Sequence, residues 1–290
     1  MTVTLAQTLT PASGPVKAGL GFAAVPLDPS AALLTDRVTV VTGAAVGIGE
    51  AIATAFARFG AHVAICDRDV ENLDETATEI EGAGRRVVAA ELDVRDGDAV
   101  STFLGTVQAE LGDVDALVNN AGGGFYANFV DVNDKGQDSL VRENFVSVTN
   151  FIRGAIPLMP ATGGSSINLT SIEAHRAAPG FAVYSAMKAA VANLTKSLAL
   201  ELGPQHIRVN CIAPDVIPTP GVGQEMGVHT PLPVEGHVDD IAAAAVFLAS
   251  DMSRFVTGTT IHVDGGNLAA GGWHRNDEGS YLTHPAMRAT

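Results

Sequence analysis

The chain has 290 residues, 47% of them hydrophobic but only 5% aromatic, a composition that suits helices packed closely on a sheet better than an aromatic-rich β-sandwich. Its formal charge of −15 argues against a nucleic-acid or anionic-membrane surface, because phosphate binding needs clustered Lys and Arg. Cys66 and Cys211 make neither a disulfide framework nor a paired metal motif, and they read as strand thiols in a reducing compartment.

Residues 1–35 carry little charge, several Pro, Gly and Thr and no steady period, which predicts a flexible or surface-draped extension. The N-terminus lacks the charged start and apolar run of a signal peptide, and no apolar stretch approaches the roughly 20 residues needed to span a bilayer. Cytoplasm is the expected location. From Val38 onward, short β-branched runs alternate with helix-length amphipathic stretches. The predicted strands are 38–41, 62–65, 86–89, 116–118, 166–169, 207–210 and 260–263. Their near-continuous apolar character predicts burial on both faces. Residues 36–270 are therefore expected to form a single doubly wound α/β domain, a seven-stranded parallel sheet with helices on both sides. Ile52, Phe56 and Phe59 have helical spacing after the first strand. Met187, Val191, Leu194, Leu198 and Leu202 form a second stripe, either core-facing or an interface between helices. Residues 271–290 are a tail with Trp273 and Tyr281, free or lying over a neighbouring subunit.

The first strand runs into Thr42-Gly43-Ala44-Ala45-Val46-Gly47-Ile48-Gly49, where a helix begins. Glycines there let backbone approach a pyrophosphate, and the helix N-terminus offers unpaired N–H groups and partial positive charge. A tight strand–helix turn also wants glycine, but placement between strand and helix points to dinucleotide binding. Asp67 ends the second strand. A carboxylate there binds both adenosine ribose hydroxyls and repels a 2′-phosphate, favouring NAD over NADP, although Arg68 next to it has the reach to meet a phosphate. Asp93, with Val94 after it, ends the third strand and is placed to meet the adenine amino group; Asn119-Asn120-Ala121-Gly122 ends the fourth. Such residues also build turns, but open α/β sheets collect ligands at the carboxyl ends of their strands.

Tyr184 and Lys188 lie four apart, on one helix face. A free phenol has a pKa near 10, so acting as a base at pH 7 requires a fall worth about 4 kcal/mol, of the order that a nearby ammonium supplies. Ser171, at the end of the fifth strand, is placed to hydrogen-bond a substrate oxygen. No serine sits in a GxSxG elbow, and no two of the eight His have metal-ligand spacing, so neither a hydrolase nor a metal site is expected.

Together, Thr42-Gly43-xxx-Gly47-x-Gly49, Asn119-Asn120-Ala121-Gly122, Asn144, Ser171, Tyr184-xxx-Lys188, Pro214-xxxx-Thr219 and Val263-Asp264-Gly265-Gly266 closely resemble the short-chain dehydrogenase/reductase family, over residues 36–270. The resemblance implies a Rossmann fold in which Tyr184 transfers the proton and Ser171 orients the substrate oxygen. It implies that Lys188 binds the nicotinamide ribose and lowers the Tyr184 pKa, and that Asn144 holds a relay water. Ile217 and Thr219 would meet the carboxamide. The implied cofactor set is Gly43, Val46, Gly47, Ile48, Gly49, Asp67, Asp93, Val94, Asn120, Ala121, Gly122, Tyr184, Lys188, Pro214, Ile217 and Thr219, and the implied assembly is a homotetramer. Asp215 departs from the family's usual glycine, which predicts a modest bias toward alcohol oxidation. The expected activity is NAD-dependent interconversion of a secondary alcohol and a ketone. The pocket is expected from Phe125, Tyr126, Phe129, Phe181 and Met226, under a lid at 218–236, and a lipophilic or cyclic, steroid- or terpenoid-like substrate follows. The alternatives are an NADPH-dependent 3-ketoacyl-carrier-protein reductase and a non-catalytic dinucleotide-sensing protein.

Overall fold

The structure, a computed structural model, describes residues 27–221, 230–275 and 280–283. Met226 and the middle of the expected lid lie outside the described residues, as do residues 1–26 of the expected extension.

The chain alternates strand and helix as its apolar runs predict: β1 (Val38–Thr42), α1 (Ile48–Arg58), β2 (His62–Asp67), α2 (Val70–Gly82), β3 (Val87–Glu91), α3 (Gly97–Glu110) and β4 (Ala116–Asn119). Then come α4 (Asp134–Val141), α5 (Ser147–Ala155), β5 (Gly164–Leu169), α6 (Ala182–Leu202), β6 (Ile207–Pro214), α7 (Val238–Ala249), β7 (Thr260–Val263) and a short α8 (Asn267–Ala270). All seven strands pair in parallel, in the order β3-β2-β1-β4-β5-β6-β7. The path moves outward from β1 to β3, then crosses back to β4. That reversal leaves a crevice between the carboxyl ends of β1 and β4, where open sheets bind ligands.

Every residue of β1 is buried, as a central strand covered on both faces requires. One face packs Val41, Val63, Ile65 and Ile167 against Ile52 and Phe56 of α1, Leu73 and Ile80 of α2 and Ile241 and Leu248 of α7. The other packs Val40, Ala64 and Leu117 against α3, α5 and Val191 of α6, with Phe103 and Phe151 in edge-to-face contact.

Three expectations change. Phe59 lies just beyond α1 and is 38% exposed, so Ile52 and Phe56 alone carry that stripe. On α6 the fully buried row is Lys188, Val191, Ala192, Thr195 and Ala199, one step round from the predicted row of large apolar residues. Leu198 and Leu202 lie at its half-buried margin. The packed body also begins before residue 36: Asp28 caps a 3-10 turn over Pro29–Ala32, and the Leu34 side chain is wholly buried against the α1 face. In the tail, His274–Arg275 pairs antiparallel with Tyr281–Leu282.

Candidate active site

A cleft of about 560 Å³ opens at the β1/β4 switch point. Its dinucleotide end is built mainly from backbone. Gly43 and Gly47 have φ of +66° and +69°, a left-handed conformation that side chains disfavour. Gly49 is required by packing, since a Cβ there would lie 1.9 Å from the Gly43 carbonyl oxygen. Asp69, Asp96, Asn133 and His237 cap α2, α3, α4 and α7 with their side chains. By contrast, the residue before α1 is Gly47, which has no side chain to cap the first turn and whose own N–H is accepted by Glu50 Oε2 at 3.1 Å. The N–H groups of its first turn lack intrahelical partners and face the cleft, an anion seat that fits a pyrophosphate.

Thr42 stitches the two sides of the crevice together. Its hydroxyl accepts N–H bonds from Asn120 and Ala121, both at 3.0 Å, and Asn120 Nδ2 donates to the carbonyls of Thr42 (3.0 Å) and Gly43 (2.9 Å). The Asn120 side chain thus braces the turn. Beneath it, Asn119 Nδ2 donates to Asn168 Oδ1 at 2.8 Å.

Asp67 faces the cleft with its carboxylate fixed by backbone donors: Ala45 N–H at 3.1 Å, Arg68 N–H at 2.6 Å and Asp69 N–H at 3.2 Å. Of the predicted cofactor residues, Gly43, Val46, Gly47, Ile48, Asp67, Val94, Asn120, Ala121, Gly122, Tyr184, Lys188, Pro214, Ile217 and Thr219 line it. Gly49 stands behind the turn. Asp93 is not brought in: Arg95 grips both its oxygens, the pair holds its carboxyl down at about 2, and it borders a neighbouring groove. Arg95, two residues on, was the sequence signal for that pairing. Leu92, Glu143 and Glu173 also line the cleft. Of these, Glu143 had a legible signal, a charged residue directly before Asn144.

The reacting end is built from side chains. Ser171 stands two residues beyond β5, and its Oγ accepts the Glu173 N–H at 3.1 Å, leaving its proton to donate to the Tyr184 phenol. Burial is the main influence on that phenol and pushes its pKa up, with the Glu173 charge adding to the rise and the Ser171 hydrogen bond opposing it. The expected lowering by Lys188 is therefore corrected. The Lys188 Nζ sits 5.6 Å from the ring centroid and donates to the Leu169 carbonyl at 2.9 Å. Burial brings its own pKa down to about 8, so its charge is itself hard to keep.

Asn144 arrives on a π turn, Arg142–Val146, between α4 and α5, where the Ser147 N–H reaches back to the Arg142 carbonyl. Such turns shift a side chain out of helical register and cluster at functional sites. The fully buried Asn144 donates to the carbonyls of Leu140 (3.0 Å) and Gly123 (2.8 Å) and accepts the Gly123 N–H at 3.2 Å. Gly122 permits the approach: a Cβ there would come within 2.8 Å of Asn144 Oδ1 and 3.1 Å of Lys188 Nζ.

Phe181 lines the cleft and meets Tyr126 edge-on at 5.7 Å and Tyr184 at 6.2 Å. Phe125 and Phe129 line a small adjoining hollow with Phe181 and Tyr184. On the opposite wall, Arg176 is held by Glu173 at 2.7 Å, and Asp215 Oδ2 accepts from Asn267 Nδ2 at 2.7 Å. Among the described residues no cluster of metal ligands occurs, and no helix is long and apolar enough to cross a membrane.

A phenol hydrogen-bonded to a serine, beside a glycine-lined anion seat, defines a dinucleotide-dependent oxidoreductase acting on a carbon–oxygen centre. The chain belongs to the short-chain dehydrogenase/reductase family. Residues 43–267 match the family model described as enoyl-(acyl carrier protein) reductase. The chain is 38% identical over 244 residues to an uncharacterized oxidoreductase of Mycobacterium tuberculosis, covering 80% of this chain and 92% of the relative. It is 37% identical over 243 residues to the 3-oxoacyl-acyl-carrier-protein reductase FabG of Chlamydia trachomatis, covering 81% and 98%. Among solved structures it is similar to a 7α-hydroxysteroid dehydrogenase complexed with NADH and 7-oxo glycochenodeoxycholic acid, with a TM-score of 0.79, 31% identity and coverage of 83% and 97%. Members of the family use nicotinamide dinucleotides and act on small molecules.

Proposed function

We propose that the protein is an NAD-dependent dehydrogenase that interconverts a secondary alcohol and a ketone on a lipophilic, cyclic substrate. The observation that carries this reading is Asp67, whose carboxylate faces the cleft on three backbone N–H groups. A carboxylate so fixed accepts from both ribose hydroxyls and meets a 2′-phosphate with like charge. The nicotinamide, when bound, accepts or returns a hydride. The Tyr184 hydroxyl takes or gives the proton at the substrate oxygen, and the Ser171 hydroxyl donates to that same oxygen. Lys188 binds the nicotinamide ribose, and Asn144 holds the relay water with the second lone pair of its Oδ1. Ile217 and Thr219 meet the carboxamide.

Of the expected pocket aromatics Phe181 lines the cleft, with Phe125 and Phe129 on the hollow beside it, and Phe181 together with the likeness to a steroid dehydrogenase whose complex holds NADH supports an apolar ring-bearing substrate. A carrier-protein reductase is the second reading, favoured by the relative named FabG. Against it, the cleft is lined by four carboxylates (Asp67, Glu143, Glu173, Asp215) and two cations (Arg68, Lys188), a poor mouth for an acidic carrier. Ser171, Tyr184 and Lys188 in one cleft, with Asn144 buried beside it, weigh against a sensor. We further propose a cytoplasmic homotetramer, a reading supported by the exposed Leu200 of α6 and by Phe255.

The test is the rate of NADH formation with a panel of cyclic secondary alcohols, run beside NADPH-linked reduction of a 3-ketoacyl thioester. Faster turnover of the thioester with NADPH overturns the proposal.

A further inference from the structure

We infer that Glu143 is a second determinant of dinucleotide choice, acting by holding Arg68 away from the place where a 2′-phosphate would sit. The inference rests on the reading of Asp67 as the ribose partner.

Asp67 disfavours a 2′-phosphate by charge, but a cation within reach would offset that repulsion. Arg68 is such a cation. It follows Asp67 directly, its own N–H is bonded to the Asp67 carboxylate, and its side chain is 59% exposed at the cleft. Of the two cations lining the cleft, Lys188 is committed to the Leu169 carbonyl at the reacting end, so Arg68 is the one at the adenosine end. A guanidinium in that position is the group best shaped to grip a phosphate.

In the structure it is engaged elsewhere. Arg68 Nη2 lies 3.4 Å from Glu143 Oε1, on the far wall of the cleft. Glu143 stands on the π turn beside Asn144, so its backbone is fixed by the packing that fixes Asn144. Its side chain is only 24% exposed and meets no other hydrogen-bonding partner among the described residues. Asp93 also lies in the field of Arg68, but both of its oxygens are taken by Arg95. The second carboxylate thus acts through Arg68, occupying the guanidinium that would otherwise meet a 2′-phosphate.

The experiment measures NAD⁺ and NADP⁺ dissociation constants by calorimetry for the wild type, Glu143→Gln, Arg68→Gln and the double variant, at low and at 0.5 M salt. Binding is read directly, so a loss of turnover does not obscure the result. Glu143→Gln lowers the preference for NAD⁺ about three- to fivefold at low salt, the reach of an exposed ion pair, chiefly by tightening NADP⁺. In the Arg68→Gln background the same change moves the preference less than twofold. An unchanged preference in Glu143→Gln overturns the inference. So does an equal fall in the Arg68→Gln background, which would make Glu143 a simple repulsive charge. The Asp67 reading fails on a separate measurement, a preference left unmoved by Asp67→Asn.

Discussion

The two ends of the cleft are made from different materials. The dinucleotide end is mostly main chain, with glycines, an α1 terminus whose cap residue is a glycine and a carboxylate held by three N–H groups. The reacting end is made of side chains that must be buried to meet, and burial works against their charges: it raises the Tyr184 phenol and lowers the Lys188 ammonium. Binding is thus set by shape that the fold supplies without electrostatic cost. Chemistry is set by groups held against their preference, a common pattern where function and stability pull apart.

The sharpest way to separate the two ends is Tyr184→Phe. Turnover should fall by about 10³-fold while dinucleotide affinity stays within about twofold, because the change removes the proton-transferring hydroxyl and leaves the rest of the dinucleotide cradle in place. Equal losses in both, by stopped-flow and calorimetry, would show that the ends are not separable. Gly49→Ala attacks the other end. Its methyl would overlap the Gly43 carbonyl, so the helix must shift, at a cost of about 3 kcal/mol in denaturant unfolding together with weakened dinucleotide binding.

Lys188→Met tests the burial argument through pH. Folded Lys188 loses its proton at about 8, whereas an unfolded lysine holds it to the ordinary value of 10.5. The unfolded state therefore binds more protons between those limits, and the burden on the fold is complete below pH 8 and gone above 10.5. The variant should be about 2 kcal/mol more stable than wild type at pH 7 and lose that advantage by pH 10.5, measured by urea unfolding. The smallest effect belongs to Asp215→Gly. Removing a carboxylate that lines the cleft should shift the NAD⁺/NADH affinity ratio a few-fold toward NADH, and an unchanged ratio would show that its bond to Asn267 serves structure alone.

The same contrast explains what the sequence disclosed. All seven strands were legible, because the buried strands of a parallel sheet are largely apolar and alternate with helix-length stretches. The phosphate turn was legible because only glycine satisfies its backbone. The α6 stripe was read one step off, because its buried row holds Lys188 and Thr195, polar residues with buried partners: the Leu169 carbonyl for one and Asn168 Nδ2 for the other. The upward push of burial on the phenol was not legible, because the sequence spacing shows a lysine nearby but not how much water is lost. The π turn left no mark in hydrophobic period, so the partners of Asn144 emerged only with the backbone. The pairing of Asp93 with Arg95 was not read, because a carboxylate after a strand looks the same whether it meets a ligand or the arginine two residues on.

The bracing of Asn120 and Ala121 onto Thr42 has a consequence for how such an enzyme changes its diet. The seat for the coenzyme is welded across the middle of the sheet, whereas Phe125, Glu173 and Asp215 stand on connections that rise from it. Those connections can be exchanged without disturbing the weld. New substrates are then acquired by rebuilding the walls, while the hydride carrier keeps its berth.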